Sequence, residues 1–174
     1  MLKMSLNEIR GQIQIYPENW KNIHTTNCYA YALGLDIVEH EICPYAYQPG
    51  TISNSSTLHQ LPPYFFYQEL IHGIEEDLKI LDISYHEINS QDIIEESEWK
   101  MALYIELYEK DIDDDLCSDF HFLRTNQNGA WRHKNGKGVL PNKLDDFGNR
   151  ILNPETCDFI FYEYKKCYAL KLNR

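Results

Sequence analysis

Between Trp99 and Tyr108 the chain alternates with period two. Trp99, Met101, Leu103, Ile105 and Leu107 face one way, and Lys100, Ala102, Tyr104, Glu106 and Tyr108 the other. That period predicts a β-strand. Phe120–Thr125 and Ala130–Lys134 flank Asn126-Gln127-Asn128-Gly129 and read as a hairpin. Phe159–Leu172, rich in Phe and Tyr, reads as one or two closing strands.

Upstream the period changes. Phe66, Leu70, Ile74, Leu78 and Leu81 recur at helical spacing and predict an amphipathic helix over Tyr64–Leu81, with His72 and Gly73 as blemishes. Thr25-Thr26-Asn27-Cys28-Tyr29-Ala30-Tyr31-Ala32-Leu33-Gly34 reads as a short helix, with Thr or Asn as N-cap and Gly34 as its stop. Cys28 falls in its first turn. The segment ahead of Thr25 is a weakly amphipathic lead-in. Residues 41–63, with Pro44, Pro49-Gly50 and Pro62-Pro63, are expected to be loop. The order is helix, long loop, helix, then several antiparallel strands, an α+β class. We expect one domain over residues 1–174.

Composition narrows the function classes. The chain is 43% hydrophobic and 13% aromatic, enough for a core, with 13 tyrosines expected half-buried. A net charge of −11 argues against a nucleic-acid partner, which would need a basic face. Asp111-Ile112-Asp113-Asp114-Asp115 lacks the glycine and closing glutamate of a calcium loop and reads as solvated. No stretch approaches the ~18 apolar residues of a membrane helix, so no membrane partner is expected. Met1–Arg10 has no signal-peptide core. A cytoplasmic protein is expected, with signal-independent export open. Five irregularly spaced cysteines, Cys28, Cys43, Cys117, Cys157 and Cys167, read as free thiols.

Free thiols raise the question of chemistry. Cys28 is placed where a helix N-terminus lowers a thiol's pKa. A histidine within reach can stabilise the thiolate and later protonate a leaving amine. His121 is the candidate. A third group must fix its tautomer, and His133 suits that role if the hairpin turns about Gln127 or Asn128. Either register puts the two histidines on one face. A turn centred on the Asn128-Gly129 bond would not. Asp119, Asp145 and Asp146 are alternatives, the latter two read as part of a Gly-containing turn. A zinc site using Cys117, His121, His133 and Cys157 is the chemical rival, but tight spacing exists on one side only. His24, His40, His59, His72 and His86 share no spacing. Gly136-x-Gly138 is no phosphate loop. No cofactor or metal is expected. Trp131, Arg132, Lys134 and Lys137 form a small basic–aromatic cluster.

These segments also resemble a known pattern. Asn27-Cys28-Tyr29-Ala30-Tyr31-Ala32, Asp119-Phe120-His121-Phe122-Leu123-Arg124, Gly129-Ala130-Trp131-Arg132-His133-Lys134 and Asp146-Phe147-Gly148-Asn149-Arg150-Ile151 with Asn153-Pro154 are similar to uncharacterised bacterial and phage proteins. Their order resembles the papain-like cysteine hydrolases, especially the NlpC-type cell-wall endopeptidases. The resemblance covers residues 27–154. It implies a papain-like fold, a thiol protease or amidase, Cys28 as nucleophile, His121 as base and His133 as orienting residue. Papain-like proteases carry a glutamine oxyanion donor six residues before the cysteine. Asn22 stands there, and an asparagine reaches less far. Asn22, Asn27 and Trp131 are the candidate oxyanion- or substrate-binding residues, with the Cys28 backbone N–H as the more direct donor. The expected partner is a peptide, protein or peptidoglycan substrate. The alternative is a non-enzymatic acidic interaction protein of phage or plasmid origin on the same fold, motivated by the charge and the tyrosines.

Overall fold

A computed structural model describes residues 4–15, 20–37, 48–55, 63–106 and 119–173. The acidic run 111–115, Cys43, Cys117 and most of the predicted 41–63 loop lie outside the described residues. Helix α1 (Leu6–Gly11) starts at a capping box. Ser5 Oγ accepts from Glu8 N–H, and the Ser5 N–H donates back to Glu8 Oε2 at 2.8 Å. Helix α2 (Cys28–Leu33) is buried at all six positions, so its sequence carries no polar face. The Asn27 side chain caps it by accepting from Ala30 N–H at 3.0 Å. Gly34 ends it in the left-handed region at φ 85°. A Cβ there would stand 2.6 Å from the Gln14 carbonyl, because the segment after α1 runs alongside and bridges Ile13 to Leu35.

Helix α3 (Pro63–Ile80) buries the predicted stripe of Phe66, Leu70, Ile74 and Leu78. Gly73 is no blemish. A Cβ at that position would meet the Pro49 carbonyl carbon and Gly50 N at 2.8 Å, so the glycine lets the 48–55 turn lie against the helix.

Five strands form one antiparallel sheet in the order β1-β5-β2-β3-β4. They are β1 (Ile83–Ile88), β2 (Glu98–Glu106), β3 (Phe120–Thr125), β4 (Trp131–His133) and β5 (Tyr162–Leu172). The alternating strand is the central one, and both of its faces are covered. Trp99, Met101, Leu103 and Ile105 join the cluster under α2 and α3. Ala102 and Tyr104 join a smaller cluster with Leu123, Trp131, Ile151, Phe159 and Cys167. The fold is therefore mixed α+β with one antiparallel sheet and a few helices. No helix among the described residues is long and apolar enough to cross a membrane.

Two side chains anchor α2 to the sheet. Trp99 Nε1 donates to the Ala32 carbonyl at 2.9 Å. Arg124, fully buried, donates through Nη1 to the Tyr31 carbonyl at 2.9 Å and through Nη2 to the Ile15 carbonyl. Cations suit the carbonyl end of a helix. With its C-terminal end held this way, the N-terminus of α2 faces the start of β3.

Candidate active site

The hairpin between β3 and β4 pairs Leu123 with His133 and Thr125 with Trp131, so it turns about Asn128. His121 and His133 are then diagonal neighbours on one face, one of the two registers that brings them together. Their rings are in hydrogen-bond contact, His121 Nε2 lying 2.8 Å from His133 Nδ1.

The proton positions follow from the next partner. His133 Nε2 lies 2.8 Å from the Leu144 carbonyl oxygen, which can only accept, so Nε2 carries a hydrogen. Neutral His133 then offers the Nδ1 lone pair to the His121 Nε2–H. This leaves His121 Nδ1 unprotonated and able to act as a base. The Leu144 carbonyl is itself positioned. Asp145 accepts from the backbone N–H groups of Phe147 at 3.1 Å and Asn149 at 2.8 Å, and Gly148 closes that turn at φ 81°. Asp145 thus belongs to the Gly-containing turn, as expected, and supports His133 at one remove. Phe159 seals the pair, its ring centroid 5.4 Å from His121 and 5.0 Å from His133.

Cys28 approaches from α2. Strand β3 pairs with β2 from Phe120 to Arg124 but with β4 only from Leu123 onward, so among the described residues no strand pairs with the other edge of Phe120–Phe122. The Cys28 sulfur fills it. Its contact is the Phe120 carbonyl at 3.9 Å, and the Phe122 backbone also reaches it. The thiol is therefore bracketed by the backbone of the two residues flanking His121. Alternation turns the side chains of Phe120 and Phe122 toward α2, with Phe122 packed 5.1 Å from Tyr29, and turns His121 to the other face. The sulfur thus sits at the edge of the strand and the imidazole on the face beyond it.

The electrostatics differ from the expected ready-made thiolate. Burial pushes the Cys28 thiol up to about 12, and the charge of Asp119 adds to this. Backbone hydrogen bonds from Phe122, Tyr29 and Cys28 itself oppose it without overcoming it. Burial, with the neighbouring His133, pushes His121 down to about 3. The resting pair is thus neutral thiol and neutral imidazole. Desolvation of two groups that are 7% and 5% exposed outweighs the field of a six-residue helix.

The other candidates take different places. Asn22 Nδ2 donates to the Asp36 carbonyl at 3.0 Å, and Asp36 accepts from the Lys21 and Asn22 backbone N–H groups, so Asn22 braces the chain beyond α2. The Asn27 side-chain oxygen is used in the cap. Trp131 is 4% exposed inside the smaller cluster and offers no surface to a ligand. Asp119 accepts from Tyr162 O–H at 2.7 Å, which leaves the orienting place to His133. For the zinc rival, both His133 nitrogens are engaged, Cys157 lies beside Tyr104 Oη at 3.0 Å, and Cys117 is outside the described residues. Among the described residues no three His, Cys, Asp or Glu side chains are grouped to hold a metal.

One residue was read only as part of a basic cluster. Lys134, adjacent to His133, is completely buried and feels the charge of Cys28. The strand alternation carried the signal: if His133 faces one side, Lys134 faces the side of the cysteine helix.

No family model matches the chain, and no solved structure matches it. Insoluble matrix shell protein 1 of Ruditapes philippinarum is 45% identical over 40 residues, which is 23% of this chain and 26% of that protein. The chain thus matches about a quarter of that relative's length, too little to show a family.

Proposed function

We propose that the chain is a papain-like cysteine hydrolase of NlpC type, cleaving an amide bond of a peptide, isopeptide or cell-wall peptide. The observation that carries this reading is the 2.8 Å imidazole–imidazole hydrogen bond whose direction is set by the Leu144 carbonyl. It leaves Nδ1 unprotonated on a residue whose two chain neighbours hold the Cys28 sulfur by their backbone, and nothing in simple packing requires two buried histidines in that order.

In the proposed cycle the Cys28 side chain leaves the Phe120 carbonyl and turns toward His121 Nδ1. The thiol proton passes to Nδ1 as the sulfur attacks the substrate carbonyl carbon. Charge develops on the carbonyl oxygen, where the Cys28 backbone N–H is the donor. The intermediate collapses, the amine leaves with the proton from Nδ1, and a thioester remains on Cys28. Water, deprotonated by His121, hydrolyses the thioester to the acid and restores the thiol. His133 keeps the His121 tautomer correct throughout and shares the positive charge that His121 carries between steps.

A second reading is favoured by the buried thiol itself. A cysteine pushed up to about 12 against a backbone carbonyl suits an ordinary core thiol, and a net charge of −11 suits an acidic interaction protein. One experiment separates the two. The protein and its Cys28→Ala variant are incubated with stem-peptide fragments of peptidoglycan and a panel of peptide amides, and products are read by mass spectrometry. Turnover that vanishes in the folded variant supports the hydrolase. Turnover retained without Cys28, or no turnover of any substrate together with no adduct to a peptide aldehyde, sinks it.

A further inference from the structure

A buried ammonium group is expensive to desolvate and persists where an opposite charge or several acceptors meet it. Lys134 is completely buried. Its Nζ donates to the Gly136 carbonyl, which takes one of three N–H groups. Its place beside the sheet points to what the others are for. The β3–β4 pairing ends at Leu123–His133, so Lys134 is the first residue beyond β4, next to the point where the Phe120–Phe122 edge, with the Cys28 sulfur against it, is left unpaired by β4. The turn after it is fastened there, since Gly138 N–H donates to the His24 carbonyl at 2.7 Å, four residues before Cys28.

We propose that Lys134 is a positioning residue acting through Cys28: it is the counter-cation that holds negative charge on the sulfur once His121 has taken the thiol proton. The charged and titratable groups that interact with the sulfur are Asp119 just before β3, Tyr162 at the start of β5 and Lys134 after β4, and His121 lies on the strand whose edge the sulfur touches. Asp119 opposes a thiolate, neutral His121 and Tyr162 do not compensate it, and Lys134 supplies the positive charge. Burial pushes Lys134 below the usual lysine value, and the Cys28 charge pulls it back up. The role gives meaning to a lysine, rather than an apolar residue, in a site this dry.

This inference deepens the hydrolase reading and rests on it for its purpose, but its test needs no substrate. Cys28 alkylation by iodoacetamide is followed against pH by peptide mass spectrometry in the wild type, Lys134→Met and Lys134→Arg. The methionine variant is expected to slow alkylation at pH 9 about tenfold, one unit of thiol pKa, with most of the rate restored by arginine. An unchanged pH profile in a folded Lys134→Met protein overturns the proposal. If that variant fails to fold, Lys134→Gln, which keeps a polar head for the Gly136 carbonyl but no charge, decides. Alkylation slowed about tenfold at pH 9 supports the coupling, and the wild-type rate overturns it. Intact coupling in a protein that cleaves nothing would remove the hydrolase reading alone.

Discussion

Cys28 and Tyr29 are neighbours in the chain, yet each enters a different buried polar centre. Tyr29 O–H donates to Asp77 Oδ2 at 3.0 Å; the same oxygen takes Gly50 N–H at 2.8 Å, and Oδ1 takes Ser53 N–H at 2.7 Å. Both carboxyl oxygens are used, and the result ties α2, α3 and the 48–55 turn together. At the Cys28 centre the pairing is incomplete by design of the chain. His133 is satisfied at both nitrogens, but His121 keeps an unprotonated Nδ1, the sulfur has a long contact, and Lys134 has donors to spare among the described residues. A fully satisfied polar network fixes a structure. A network with one base, one nucleophile and one cation left over is equipped for chemistry. The difference separates a bolt from a candidate site in two residues that share a helical turn.

That contrast can be broken by a pair of substitutions. His121→Gln, which keeps an N–H donor near the buried His133 Nδ1, is expected to cut turnover of the substrate found for the wild type by about 10³-fold or more, in line with the loss of a general base, while the melting temperature falls less than in Asp77→Ala. Asp77→Ala is expected to do the reverse. It strands the buried Tyr29 O–H and the Gly50 N–H and costs about 3 kcal/mol, or roughly 6–12 °C of melting temperature for a chain of this size. Calorimetry at pH 5, where Asp77 is mostly protonated and no charge penalty offsets the loss, gives the clearest value. Equal losses of activity and stability in both variants would merge the two centres into one.

The two centres also titrate in opposite directions. Burial, against its hydrogen bonds, pushes Asp77 up to about 6. Its stabilising contribution is full below the unfolded carboxylate value near ~3.9 and is lost as pH rises through about 6. His121 is pushed down to about 3. Its contribution is full above the unfolded value near ~6.5 and is lost as pH falls toward 3. Between pH 6 and 4 the two slopes oppose each other at up to about 1.4 kcal/mol per pH unit each. Asp77→Asn is therefore expected to steepen the loss of stability on acidification, and His121→Phe to turn the loss into a gain. Urea unfolding of the three proteins at pH 4, 5, 6 and 7 reads this directly. Parallel curves would mean that neither group titrates as its burial requires.

The same contrast explains what could be read along the chain. Helix α2 was legible because its signals are local: Asn27 before it, alanines within, Gly34 after. The His121–His133 pairing was legible to within a choice of register, since period-two geometry needs only a turn centre. Strand β1 was not, because all of its residues from Ser84 to Glu87 are exposed and no apolar alternation marks it. Helix α1 is six residues long, too short to show a period. Asp77 was hidden inside an apolar stripe between Ile74 and Leu78, since its partners come from Tyr29 and from the 48–55 turn, distant in sequence. The state of Cys28 was misjudged for the same reason. The helix N-terminus is a local cue that favours thiolate, whereas desolvation by β3 and its neighbours is tertiary, and it is the larger effect. Lys134 lay in plain view beside His133, but a lysine in a basic cluster looks solvated until the sheet closes over it.

The smallest expected effect tests whether the local cue still matters once burial dominates. The Asn27 side chain accepts the Ala30 N–H, and the Asn27 carbonyl accepts the Tyr31 N–H at 3.0 Å. Asn27→Ala removes the side-chain acceptor and keeps the backbone one, so it is expected to cost about 1 kcal/mol of stability. Asn27→Asp keeps the acceptor and adds a charge favourable to the helix N-terminus, so its unfolding free energy should stay near that of the wild type. The thiol sees the opposite order. A carboxylate one residue before Cys28 disfavours a second negative charge, so Asn27→Asp should raise the pH at which Cys28 is alkylated, whereas Asn27→Ala leaves it almost unmoved. Urea unfolding and alkylation profiles of the same two variants thus separate the cap's structural work from its field at the sulfur. If both variants shift alkylation alike, the effect runs through the position of α2 and not through charge, and the Cys28 centre is governed by the same packing that holds Asp77.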